Sequence, residues 1–159
     1  MAIGRNYSTA LQKALRSLEK RGSSFHWQGE PGDKDALIAA SRLPTDGRIV
    51  TVQQAMRAGA TIDELFAATG IDPWFLDQMV LINEVADEVA AAPALTAEVI
   101  RHAKDHGFSD AQLGELRGLD EAAVRAARWE AGVRPVFKTV DTCAGEFPAL
   151  TPYHYSSYD

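Results

Sequence analysis

Apolar residues recur along this chain at intervals of three and four, the spacing that gathers them on one side of an α-helix, whereas strand-like alternation is scarce. The punctuation agrees: a Ser, Thr or Asp opens each periodic stretch and a Gly or Pro closes it. Ser8 is expected to cap a first helix that places Leu11, Leu15 and Leu18 on one face, with Lys20 and Arg21 near its C-terminal end and Gly22 to stop it. Residues 23–33 carry glycine turns and Pro31, and Asp35 to Arg42 reads as a short Ala-rich helix halted before Pro44. Thr51 with Gln54 and Thr61 with Glu64 have the spacing of capping boxes, closed by Gly59 and Gly70.

Asp72-Pro73, a cap followed by proline at the first helical position, opens the longest element, which is expected to run to about Ala92 before Pro93. At about 100° per residue, Phe75, Met79, Ile82, Val85, Ala86 and Val89 share one broad apolar face, and Asp77, Glu84, Asp87 and Glu88 lie largely opposite. Leu76 and Val80 fall outside that face, among acidic and amide neighbours, so each needs a second burial partner: another helix of the same domain, or another subunit. Three further helices, Thr96 to His106, Ser109 to Arg117 and Asp120 to Ala131, end at Gly107, Gly118 and Gly132, with loops short enough to force them together as neighbours. The fold class expected is all-α, an irregular bundle of about seven or eight short helices around a central one.

Helical periodicity stops after Gly132. Pro135, Pro148 and Pro152 punctuate a C-terminal tail in which Tyr153, Tyr155 and Tyr158 cluster, so the tail is expected to be extended, either as an edge strand or lying on a partner, or else packed on its own domain.

Composition narrows the function. A length of 159 residues suits one domain with its own core, and 46% apolar with 24% charged residues is ordinary for a soluble globular protein, which sets the expected location in the cytoplasm. A formal charge of −6, with no basic cluster larger than Lys20-Arg21, argues against a nucleic-acid partner. No apolar stretch approaches the ~20 residues of a bilayer span, so no membrane partner is expected. The single cysteine, Cys143, has Asp141 and Glu146 nearby, which oppose thiolate formation, so a packed thiol is favoured over a nucleophile.

Candidate chemistry is sparse. No glycine-rich phosphate cradle occurs, and Gly29 and Gly32 are flanked by Glu30 and Asp33, which repel phosphate. His102 and His106 stand at i and i+4 and could share a metal ion on a helix, but they lack a third ligand and the Glu that follows the first His of a zincin. His26 beside Trp27 reads as a packing pair, and Asp87-Glu88 and Asp120-Glu121 as caps or solvated faces. No catalytic, cofactor or metal residue is assigned.

Several longer runs are more specific than helix caps: Ile3-Gly4-Arg5, Leu11-Gln12-Lys13-Ala14-Leu15-Arg16-Ser17-Leu18-Glu19, Ile71-Asp72-Pro73-Trp74-Phe75-Leu76, Lys104 to Asp110, and Val136-Phe137-Lys138-Thr139-Val140-Asp141-Thr142-Cys143-Ala144. With Tyr153-His154-Tyr155-Ser156-Ser157-Tyr158, they make nearly the whole chain resemble the middle of the carbamoyl phosphate synthase large subunit, departing from the family pattern at Gly145 and His154. The resemblance implies a non-catalytic oligomerisation domain over residues 1–137 and an extended connector over 138–159, leading toward a second ATP-grasp half. It further implies a parent ligase that uses bicarbonate, glutamine-derived ammonia, two ATP, Mg or Mn, and K for pyrimidine and arginine synthesis. The partners it implies are the two ATP-grasp halves of the same chain, other large subunits and a glutaminase small subunit. Leu76 and Val80 are then candidate interface residues, and Tyr153, Tyr155 and Tyr158 candidate inter-domain contacts. The competing readings are a self-contained helical protein holding a ligand or peptide between two helical clusters and, last, a small metal enzyme built on His102 and His106. A reading frame that continues into a second ATP-grasp unit separates the first reading from both.

Overall fold

The longest helix organises the molecule. In a computed structural model describing residues 2–143, 145–147 and 153–158, the elements run α1 (Tyr7–Ser17), α2 (Lys34–Ser41), α3 (Arg48–Arg57), α4 (Ile62–Thr69), α5 (Pro73–Ala91), α6 (Ala97–Asp105), α7 (Asp110–Arg117), α8 (Glu121–Glu130), β1 (Val136–Val140) and β2 (Tyr153–Ser157). Helix α5 starts where the Asp72 side chain accepts from Trp74 N at 2.9 Å, with Pro73 in the first turn, and packs against α1, α3, α4, α6 and α7. Met79, Ile82, Val85, Ala86 and Val89 form the spine of one core, joined by Leu15, Phe25, Val52, Leu65, Phe108, Leu113 and Val124 from the surrounding elements.

Thr61, Thr96, Ser109 and Asp120 cap α4, α6, α7 and α8 as their spacing predicts, and Thr61–Glu64 closes a full capping box. Three local expectations fail. The cap of α1 is Asn6, whose side chain accepts from Thr9 N at 2.8 Å, while Ser8 is buried inside the helix. That shift ends α1 at Ser17 and turns Leu18 out to 59% exposure, with Glu19 at φ 49° closing the turn before Gly22 is reached. Helix α3 starts one turn earlier than Thr51, which lies inside it, and its N-cap Gly47 makes no side-chain bond.

The stretch between α1 and α2 has no regular structure and is held by polar contacts. Glu115 accepts from the backbone N–H groups of Trp27 and Gln28, and Asn83 Oδ1 accepts from Trp27 Nε1 and Gln53 Nε2, each at 3.1 Å. Trp27 also stacks on Phe108, ring centroids 5.2 Å apart.

Leu76, outside the main apolar face by periodicity, is fully buried in the core because α5 is covered on more than one side. It therefore has no surface left for another subunit, and only half-buried Val80 retains some. Conversely Phe75 is 42% exposed and meets Tyr7 and Trp74 in an aromatic cluster with centroid separations of 5.0–5.6 Å. The tail is an antiparallel pair, Val136 opposite Ser157 and Val140 opposite Tyr153. The division expected after Phe137 falls inside β1. Pro148 and Pro152 lie outside the described residues.

Candidate functional site

Helix α1 carries a polar stripe at Asn6, Thr9, Gln12 and Arg16, residues three or four apart and so on one side. That stripe meets the C-terminal end of α6, whose last carbonyls have no partner inside the helix. Asn6 Nδ2 and Thr9 Oγ1 donate to Asp105 O at 3.0 and 2.7 Å, Gln12 Nε2 to His106 O at 2.8 Å, and Arg16 to Gly107 O at 2.6 Å. Gly107 is required here twice over: its φ is +87°, and a Cβ on it would stand 2.9 Å from Thr9 Cα. Gln112 completes the seam by donating to Gln12 Oε1 at 2.9 Å and to Phe25 O at 3.1 Å.

Beside the seam lies a buried ion cluster. Asp110, at the start of α7, accepts from Lys104 Nζ at 2.6 Å and from both Nε and the terminal nitrogen of Arg128 at 3.0 and 2.9 Å. Lys104 also donates to Phe108 O and Arg128 to Val133 O, so each charged group bridges two elements. Burial pushes the Lys104 ammonium down to about 8, only partly offset by Asp110. Burial works to raise the Asp110 carboxyl, but bonds from Arg128 and Lys104 outweigh it and hold it below its ordinary value.

The tail docks on these cations. Lys13 Nζ donates to Ser156 O at 2.5 Å and sits 5.7 Å from the Tyr155 ring centre, and the Tyr158 ring lies 5.6 Å from Lys104 and 5.7 Å from Arg128. Tyr155 and Tyr158 thus contact their own helical body, whereas Tyr153 is exposed. Between α1, the α6–α7 turn and β2 remains a cleft of about 490 Å³, bordered by Lys13, Arg16, Lys104 and Tyr158.

The other candidates stay apart from this cleft's cations. His102 faces Glu88 at 3.1 Å, and His106 Nδ1 donates to His102 O at 2.9 Å, with the two rings 4.7 Å apart. Among the described residues no group of three or more His, Cys, Asp or Glu is placed to hold a metal ion. Cys143 lies beside Asp141, whose carboxylate accepts from the Cys143 backbone N–H at 3.0 Å. Among the described residues no helix is long and apolar enough to cross a membrane. The Lys104–Asp110–Arg128 cluster was missed at the level of sequence: Lys104 and Asp110 sit in one short run, but nothing local points to Arg128, eighteen residues further on.

Among the described residues the buried Lys104–Asp110–Arg128 cluster joins α6, α7 and α8 and meets the tail at Tyr158, which defines a class: a helical packing module. The chain belongs to the family described as carbamoyl-phosphate synthetase large chain, oligomerisation domain, whose model matches residues 1–132. It is 74% identical over 159 residues to a carbamoyl phosphate synthase large chain of Clavibacter sepedonicus, covering 100% of this chain and 14% of that one. Large chains of Kineococcus radiotolerans and Streptomyces coelicolor are 64% and 63% identical, with the same coverage. The chain thus spans about 14% of the length of the relatives it matches.

Proposed function

We propose that this oligomerisation domain works as the assembly and spacer element of a carbamoyl phosphate synthase large chain, and that the chemistry belongs to ATP-grasp halves on either side of it. The observation that carries the reading is the full-length similarity to large chains of which this segment is 14%. In the parent, carbamoyl phosphate would be made from bicarbonate, glutamine-derived ammonia and two ATP, with Mg or Mn and K, in the cytoplasm and for pyrimidine and arginine synthesis. Its partners there would be the two ATP-grasp halves, other large subunits and a glutaminase small subunit. The exposed aromatic rings support a role in contact rather than catalysis: Trp74 is 54% and Phe137 76% exposed, in positions a self-sufficient protein tends to cover. The relatives support this reading and not that of a self-contained ligand- or peptide-binding protein.

Two measurements test it. The isolated chain, given bicarbonate, ammonia and magnesium ATP, is expected to form no carbamoyl phosphate. Sedimentation is expected to give a mass above the 17.3 kDa of one chain at tens of micromolar. Carbamoyl phosphate formed by the chain alone, or a strict monomer for both the chain and a full-length large chain, overturns the proposal.

A further inference from the structure

The chain carries a formal charge of −6, yet the 490 Å³ cleft gathers Lys13, Arg16 and Lys104 along its walls. Among the described residues its two carboxylates, Asp105 and Asp110, do not balance these three. Asp110 is held by Lys104 and Arg128 together, so that cluster keeps one positive charge, and Asp105 sits exposed at the rim. Lys13 donates to the carbonyls of Ile3 and Ser156, and Arg16 to that of Gly107. Neither has a carboxylate within ion-pair distance among the described residues. Carbonyls satisfy donors but leave net charge in place, and a guanidinium has five donors to satisfy. The cations feel one another: burial and then Arg16 lower the Lys13 ammonium, and on Lys104 burial leads, Asp110 partly offsets it, and Arg128 and Arg16 add to the lowering.

We propose that this cleft is an oxyanion site, taking a phosphate or carboxylate group at Arg16 and Lys13 with Lys104 behind them. A planar guanidinium beside an ammonium suits such a group, because charge-assisted bonds to oxyanion oxygens are the strong ones and the fork can be bidentate. The volume is that of a small-molecule pocket. One wall is β2, at Ser156 and Tyr158, so ligand and tail dock together: the anion screens the repulsion that Lys13 and Lys104 meet beneath the strand. The oxyanion is either a free small ion or a carboxylate supplied by the longer parent chain.

The probe is inorganic phosphate, with pyrophosphate as a second, titrated into the 159-residue chain, whose own core spans helices α1 to α8. Sodium chloride at equal ionic strength is the control. Phosphate is expected to raise the melting temperature saturably, to shift the amide resonances of Arg16, Lys104 and Tyr158, and to slow exchange of the β2 amides. Arg16→Gln should weaken the half-saturating concentration about tenfold, and Arg16→Lys less. If Arg16→Gln fails to fold, Lys13→Gln and the wild-type resonance map decide. Repeating the map in a full-length large chain separates the sources: the same response identifies a free ion, and loss of response identifies a parent carboxylate already in place. Equal effects of phosphate and chloride, or shifts scattered over surface lysines, overturn the proposal.

Discussion

Asp110 is the residue on which three elements depend, since it joins the α6 lysine and the α8 arginine at the first turn of α7. Replacing it by Asn leaves two buried cations facing a neutral group, so Asp110→Asn is expected to lose on the order of 3–5 kcal/mol in urea unfolding. Lys104→Met should lose less, because Arg128 still holds the carboxylate and the methionine needs no solvation. Both groups are lowered in the fold, so both make stability rise with pH, each in its own window. The Asp110 carboxyl lies below its ordinary 3.8 in the fold, so its contribution is complete above that value and is lost as pH falls through the folded one. The Lys104 ammonium is lowered from 10.5 to about 8, so between those values the unfolded chain binds more protons and stability rises with pH. Urea midpoints between pH 8 and 9.5 are therefore expected to climb more in the wild type than in Lys104→Met; parallel curves would show that Lys104 does not titrate in this window.

Glycines of one conformation have different consequences according to what surrounds the element they end. Gly70 and Gly107 both have positive φ, but a Cβ at Gly70 meets open space while one at Gly107 strikes the α1 backbone at Thr9. Gly70→Ala is expected to cost about 1 kcal/mol for backbone strain alone, and Gly107→Ala roughly 1–3 kcal/mol more, because α1 must move off α6 and break the seam. Thermal unfolding of the two variants side by side checks this; equal losses would mean that α1 shifts freely. Such differences mark the limit of what the sequence shows at this scale. Caps at Thr61, Asp72, Thr96, Ser109 and Asp120 were legible because a cap is a local hydrogen bond within three residues. Thr51 and Ser8 misled because a hydroxyl residue inside a helix looks the same in sequence as one at its start. The pairing of β1 with β2 was illegible for another reason: partners such as Val136 and Ser157 lie far apart in sequence, and no local pattern marks their register.

At the scale of the whole molecule the central helix and its core were readable from periodicity, but the cationic cleft was not, since Lys13, Arg16 and Lys104 are brought together by packing across some ninety residues. The tail depends on the same long-range contacts. A two-stranded ribbon is marginal alone, and the contacts that hold this one to the helices among the described residues include a lysine bond and cation–ring contacts of about 0.5–2 kcal/mol each, so residues 153–158 are expected to exchange amide hydrogens well before α5. Protection equal to that of Pro73–Ala91 would make the ribbon part of the core. Self-association poses the sharper question, because Leu76 and Val80 are neighbours on α5 with different surroundings. Leu76 is fully buried, so Leu76→Glu forces a charge into an apolar interior and is expected to lose several kcal/mol and collapse the melting transition. Val80 keeps part of its surface, so Val80→Lys can hold its ammonium in water along the side of the helix and should leave helical circular dichroism and melting nearly intact. If α5 contributes to the assembly that the family is described by, that substitution places a charge at the contact and lowers the mass seen by light scattering while the fold persists. An unchanged mass with an unchanged melt would remove α5 at Val80 from the interface and move the search to the exposed rings of Trp74 and Phe75 at its N-terminal end.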